Sequence, residues 1–206
     1  MPDNEIRLGI IGLGYVGLPL AIEFGKCMPT LGYDLNDERV NKLIDFEDET
    51  NEISKKDFQD SKYLKFSSKE DDLTNQNVYV VTVPTPIDSD KRPDLSFLIS
   101  ASKTVGKYLK KGDTVIYEST VYPGATEEIC LPLLEKISQL SVNNDFHLGY
   151  SPERINPGDK NHRLVDILKV TSGSNQEAAD FIEQLYSKII SAGVYSADSI
   201  KIAEAA

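Results

Sequence analysis

Three glycines and one aspartate carry the most specific chemistry in this chain. Gly12-Leu13-Gly14-Tyr15-Val16-Gly17 follows a short apolar run, Ile6 to Ile11, and opens a stretch from Val16 to Phe24 with helical periodicity. A G-x-G-x-x-G turn between a buried strand and a helix is built to receive a pyrophosphate. Gly12 permits the tight turn, Gly14 lets the ligand approach the backbone, and Gly17 lets helix and strand pack closely. The free N–H groups around Tyr15 and Val16 and the positive end of the helix supply the attraction. A second apolar piece, Thr30-Leu31-Gly32-Tyr33, ends at Asp34, about 20 residues beyond the start of the motif. A carboxylate there accepts hydrogen bonds from ribose hydroxyls and repels a 2′-phosphate, so the pattern predicts a dinucleotide site that favours NAD over NADP. A glycine-rich turn without ligand is the bland alternative.

Three further loops sit where strands should end. Asn77 to Val83 reads as a buried strand stopped by Pro84-Thr85-Pro86, a stiff extended loop that either faces a cofactor or simply ends the strand. Thr114 to Tyr117 runs into Glu118-Ser119-Thr120-Val121-Tyr122-Pro123-Gly124. Ser119 and Thr120 can bond a nicotinamide or a bound water, or merely cap the helix read over Ala125 to Ile137. Phe146 to Tyr150 ends in Ser151-Pro152-Glu153-Arg154, with Ile155 to Lys160 following. Glu153 is placed to act as a general base through water, or to pair with Arg154 or Lys160 at the surface.

The elements that must position these loops alternate between strand and helix. Helices are expected from Asn36 or Asp37 to about Asp45, over Lys55 to Asp60, from Leu95 to Lys110 with Asp94 as cap, and from Asn175 to Ile190. Strands are expected at Tyr63 to Ser67, Ile167 to Thr171 and Gly193 to Tyr195, and a last helix after Asp198. Glu47 to Asp72 is the most polar part and reads as an excursion from the sheet. This alternation predicts an α/β fold, a Rossmann-like doubly wound, mostly parallel sheet with helices on both faces. Arg39 projects from a helix's first turn, toward the adenosine end of a ligand or into solvent.

Composition narrows the partners. The net charge of −11 over 206 residues argues against a general nucleic-acid or acidic-membrane binder, so a polyanionic ligand must be held by local amides and selected bases. No apolar run approaches the ~20 residues of a membrane span, and Met1 to Arg7 lacks the pattern of a secretory signal. Cys27 and Cys130 have neither metal-ligand nor disulfide spacing, and no metal site is expected. A cytoplasmic setting fits this usage, with Cys130 as core packing.

In order and approximate spacing, Gly12 to Ala21, Val83-Pro84-Thr85-Pro86, Ser119 to Gly124 and Ser151-Pro152-Glu153-Arg154 resemble the NAD-binding domain of the UDP-glucose/GDP-mannose dehydrogenase family. That family oxidises the carbon-6 alcohol of a nucleotide-bound hexose to a carboxylate with two NAD, through a covalent thiohemiacetal and thioester on a cysteine. The resemblance implies that Gly12, Gly14, Gly17, Asp34 and Arg39 hold the adenosine diphosphate half of NAD. It implies that Thr85 and Thr120 line the nicotinamide, that Glu153 assists water and proton movements, and that Arg154 and Ile155 meet the sugar nucleotide.

Pro157 stands where a second glutamate is found in the UDP-glucose and GDP-mannose enzymes. The loop therefore looks more like the branch acting on UDP-N-acetylhexosamines (GlcNAc or GalNAc), which makes uronic acids for surface polysaccharides. UDP-glucose and UDP-ManNAc dehydrogenases are the alternatives, with a two-electron hydroxyacid or 6-phosphogluconate-type dehydrogenase and a non-catalytic NAD-binding module farther off. Neither cysteine matches the family's Cys-x-Gly-x-Asp-Pro nucleophile, and Lys201 has Ala205 where the catalytic Lys-x-x-x-Asn pair requires asparagine. The expectation is one NAD-binding domain over 1–206, cut at the start of the central helix. The parent is expected to be a homodimer or higher, and a monomer is open to the fragment.

Overall fold

The computed structural model describes residues 6–87, 90, 92–154 and 164–206. The expectations placed on Ile155, on Asn156 to Lys160 and on Pro157 lie outside the described residues. Among the described residues eight strands form one sheet: β1 (Leu8–Ile11), β2 (Thr30–Tyr33), β3 (Leu64–Ser67), β4 (Val78–Val81), β5 (Thr114–Tyr117), β6 (His147–Tyr150), β7 (Lys169–Gly173) and β8 (Val194–Ser196). Their order is β3-β2-β1-β4-β5-β6-β7-β8. Pairing is parallel from β3 through β6, antiparallel between β6 and β7, and parallel again between β7 and β8. The order reverses direction at β1, so the strands on either side of β1 and β4 leave a crevice at their carboxyl ends. The expected doubly wound, mostly parallel sheet is the observed one.

Strands β1, β4 and β5 are buried on both faces, as their unbroken β-branched and apolar runs require. Alternate residues therefore feed two cores. Leu8 and Ile10 pack with α1 (Gly17–Gly25), α3 (Lys55–Asp60) and α6 (Gln176–Ser187) on one face. Ile11, Tyr79 and Val115 pack with α4 (Ser96–Tyr108), α5 (Leu131–Ser138) and α7 (Ile200–Glu204) on the other. The remaining helix, α2 (Asp37–Ile44), is capped by Asn36, whose side chain accepts from the Glu38 and Arg39 amides.

Four expectations need adjusting. The polar stretch after Glu47 returns to the sheet, since β3 pairs with β2 and forms its edge, and a 3₁₀ turn at Glu70–Asn75 follows. The N-cap position of α4 is Leu95, and Asp94 instead accepts from the Ser96 amide one residue earlier. The segment after Ala125 opens with a π turn, Thr126–Cys130, because Pro132 has no N–H with which to continue an i−4 ladder. In that turn the Leu131 amide bonds Thr126 five residues back. Finally, β7 lies two residues later than expected, starting at a buried lysine, Lys169. Cys130 is fully buried, and burial pushes its thiol up to about 11, in keeping with a packing role.

Two predictions follow from buried carboxylates. Glu204 in α7 accepts from the Gly124 amide through Oε2 and from the Thr126 amide through Oε1 at 2.9 Å, closing the Ser119 to Gly124 loop across the sequence. Glu204→Ala should cost about 2–4 kcal/mol in chemical unfolding, because two charge-assisted bonds are lost and two amides are left unpaired. Asp113, just before β5, is raised to about 6 by burial, against the Lys110 amide that it accepts from at 2.8 Å. A carboxyl raised in the folded state stabilises while protonated, and that contribution is lost as pH rises from about 4 through about 6. Asp113→Asn should therefore become more favourable relative to the parent sequence between pH 4.5 and 7.5 in paired urea titrations.

Candidate functional site

The glycine turn is fixed before any ligand arrives. Gly12 takes a φ of +97°, a conformation that side chains rarely adopt. A Cβ on Gly17 would lie 1.9 Å from the Gly12 carbonyl oxygen and 2.4 Å from Thr82 Oγ1, so α1 rests directly on the turn only because Gly17 has none. The Thr82 hydroxyl donates to the Gly12 carbonyl at 2.8 Å, tying the turn to the end of β4. Around Gly14, by contrast, nothing lies within 4 Å of where a Cβ would stand. That open side is what close approach of a phosphate needs.

Asp34 and Arg39 hold the same residue of the turn from opposite sides. Asp34 Oδ2 accepts from the Leu13 amide at 2.8 Å, and Oδ1 accepts from the Asn36 amide at 2.9 Å. Each oxygen keeps a further lone-pair direction, which is the capacity that ribose hydroxyls require. Arg39 Nε and Nη2 donate to the Leu13 carbonyl at 3.1 and 3.0 Å, and Nη2 also pairs with Asp48 at 2.8 Å. Burial works to raise the Asp48 carboxyl, but hydrogen bonds from Thr50 and Arg39 outweigh it and hold the group below the usual range. Arg39 Nη1 is buried with no partner among the described residues. A buried guanidinium N–H left over beside an open glycine turn suits an anionic or polar ligand group.

These residues line one cleft of about 450 Å³ at the switch point between β1 and β4. Of the expected cofactor residues, Gly12, Gly14, Asp34, Arg39 and Pro84 line it. Gly17 packs beneath the turn, Val16 is buried, and Tyr15 is exposed. Leu35 and Phe97 also line the cleft and are exposed, so they offer apolar walls of the kind a flat base needs. Phe97 went unremarked in the sequence. Its signal was a large aromatic residue standing off the buried stripe of its own helix.

The other expected residues form a second cluster at the ends of β5 and β6, tied to the Pro84 loop. Thr85 Oγ1 donates to the Thr120 carbonyl at 2.6 Å, Ser119 Oγ donates to the Val83 carbonyl at 2.6 Å, and the Tyr150 hydroxyl donates to the Ser119 carbonyl at 3.2 Å. Glu153 follows β6. Its Oε2 lies 3.5 Å from Lys169 Nζ, and the side chain is buried, while Lys160, the other partner expected for it, lies outside the described residues. The Arg154 backbone amide donates to Glu153 Oε1 at 2.6 Å. The turn-and-aspartate cleft and the Thr85, Thr120 and Glu153 cluster thus lie along one edge, at the carboxyl ends of successive parallel strands.

The UDP-glucose/GDP-mannose dehydrogenase family, NAD binding domain, matches residues 6–190. The chain is similar to the UDP-N-acetyl-D-glucosamine 6-dehydrogenases of Salmonella typhi and Pseudomonas aeruginosa, with 53% and 55% identity over 203 residues. In each case the match takes in 98% of this chain and 48% of the relative, so the chain spans about half the length of the curated relatives it matches. Among solved structures it resembles the UDP-D-ManNAc dehydrogenase from Pyrococcus horikoshii, with 31% identity and a TM-score of 0.86 over 97% of this chain and 48% of the other. The glycine turn clamped by Asp34 and Arg39 sits on a sheet of this order, and the chain belongs to the UDP-glucose/GDP-mannose dehydrogenase family through its NAD-binding domain.

Proposed function

We propose that the chain is the NAD-binding domain of a longer enzyme that oxidises the carbon-6 alcohol of a UDP-N-acetylhexosamine to the uronate, for surface polysaccharide synthesis in the cytoplasm. The observation that carries the reading is the double hold on Leu13, where Asp34 and Arg39 fix the glycine turn in a cleft at the switch point. The choice of sugar rests on the names of the two relatives that are more than half identical. NAD, when bound, accepts the hydride from the alcohol carbon.

The chain's own residues do the rest. The amides about Gly14 and the leftover Arg39 N–H take the phosphates, Asp34 takes the adenosine ribose, and Leu35 and Phe97 flank the base. Thr85 and Thr120 line the nicotinamide side, with Ser119 bracing their loop. Glu153 takes a proton from water, and Arg154, with Ile155 beside it, meets the sugar nucleotide. Oxidation of a primary alcohol to a carboxylate removes four electrons as two hydrides and takes up one water, so two NAD are reduced per sugar. The nucleophilic cysteine and the Lys-x-x-x-Asn pair would come from outside this chain, and the longer protein is expected to assemble as a dimer or higher.

Calorimetric titration of the chain should show NAD bound at least about tenfold more tightly than NADP, a difference of about 1.4 kcal/mol. Asp34→Ala should narrow that preference, and equal binding of both dinucleotides by the unaltered chain would sink the discriminator. In the longer protein, each UDP-N-acetylglucosamine consumed should yield two NADH, followed by absorbance and product analysis. One NADH per sugar would mean a two-electron dehydrogenase, and NADH formation by residues 1–206 alone would overturn the assignment of the chain as a cofactor half.

A further inference from the structure

A fully buried lysine sits among three acceptors at the carboxyl end of the sheet, and nothing in the cofactor cleft explains it. Lys169 is the first residue of β7, and its side chain is 4% exposed. An ammonium has three N–H donors, and three acceptors face this one. Glu118 Oε2 lies at 2.8 Å, the Pro152 carbonyl at 3.2 Å, and Glu153 Oε2 at 3.5 Å. The other oxygen of Glu118 accepts from the Tyr186 hydroxyl of α6, and the Tyr186 ring lies 5.6 Å from the ammonium. Burial alone works to lower the lysine's affinity for its proton, but Glu118 and Glu153 reverse that and raise it, so the group stays charged.

The strand reversal explains how a lysine reaches this place. In the antiparallel pair, Gly149 faces Gly173 and Tyr150 faces Ser172. Continuing that register past the end of β6 sets Ser151 opposite Thr171 and Glu153 opposite Lys169. The Ser151 hydroxyl, which donates to the Val170 carbonyl at 2.7 Å, is consistent with the strands staying in step. Glu118 comes to the same spot because it follows β5, whose Tyr117 pairs with Tyr150. A parallel β7 would have begun at the opposite end of the sheet and brought no first-residue side chain here.

We propose that Lys169 is the positioning residue of this site, its ammonium fixed by Glu118 and Tyr186 so that it sets where the Glu153 carboxylate stands at the end of β6. The sheet and α6 then share in placing Glu153. A lysine buried only for packing would satisfy itself with Glu118. This one also bonds the backbone carbonyl preceding Glu153 and faces the Glu153 carboxylate, so two consecutive residues of the loop are held by one charge. The inference deepens the role given to Glu153 above and rests on that reading for its meaning, though not for its test.

The test is lysine side-chain NMR of the ¹⁵N-labelled chain near neutral pH, with neither NAD nor sugar present. Exposed ammonium groups exchange too fast to be seen. Lys169 should give a protected resonance, assigned by its disappearance in Lys169→Arg. Glu153→Gln should move that resonance and speed its proton exchange about three- to tenfold, as expected when a buried ammonium loses a facing carboxylate charge. Tyr186→Phe should move it as well, and the surface change Glu177→Gln should leave it alone. Backbone spectra of the same samples report whether each variant is folded. A protected resonance unmoved by Glu153→Gln, or no protected resonance in the unaltered chain, overturns the proposal. Because no ligand is used, failure here is separate from a failed NAD titration, which bears only on the nucleotide-sugar reading.

Discussion

The architecture depends on how closely α1 can approach β1. With a Cβ at Gly17 placed 1.9 Å from the Gly12 oxygen, the contact exists only for glycine, and every ligand-facing feature of the turn follows from it. The helix start is brought down to the strand end, and Leu13 is left between Asp34 and Arg39 to be held from both sides. Holding the turn with an acid and a base also settles an electrostatic difficulty. The chain carries a net charge of −11, so the general field opposes an anionic dinucleotide. Attraction must be local, from amides and one guanidinium, and preorganisation keeps the cost of aligning them out of the binding step.

Much of this was legible because it is local. A β-branched run ended by glycine gives a parallel strand, and the spacing of three glycines and an aspartate gives the turn and the carboxylate that holds it. Thr114 to Tyr117 and Lys55 to Asp60 fall where the sequence placed them, and Asn36 caps α2 as an Asx residue ahead of two acids should. The two-core division is likewise written in alternating residues of strands whose neighbours are all apolar.

What was not legible depends on residues far apart in the chain. Lys169 reads as a charge at a strand's edge, because its partners Glu118 and Tyr186 lie 51 and 17 positions away, and only the folded sheet brings them together. Nothing in residues 167–173 announces that β7 runs against β6, so the buried approach of Lys169 to Glu153 has no signal in the local sequence. Phe97 was passed over for a related reason. Helical periodicity identifies the stripe that meets the sheet, and a residue off that stripe is assigned to solvent until a neighbouring loop makes a cleft of it.

The two halves of the site are built by opposite strategies. The dinucleotide cleft uses backbone, with small residues and amides set by a turn that one carboxylate and one guanidinium hold. The cluster at the ends of β5 and β6 uses buried charge. A lone lysine inside a sheet is costly, and removing either partner of a buried pair leaves an uncompensated ion. That cost confers no obvious stability that apolar packing would not also give, so the charge has to be understood through what it holds. Lys169 holds the loop bearing Glu153, and Glu204 of α7 holds the loop bearing Ser119 and Thr120 by its amides. Each of these two loops is thus fixed by a charged side chain from a later element. This edge is complete only when the reversed strand β7 and α7 have docked, which makes its geometry a cooperative product of the fold.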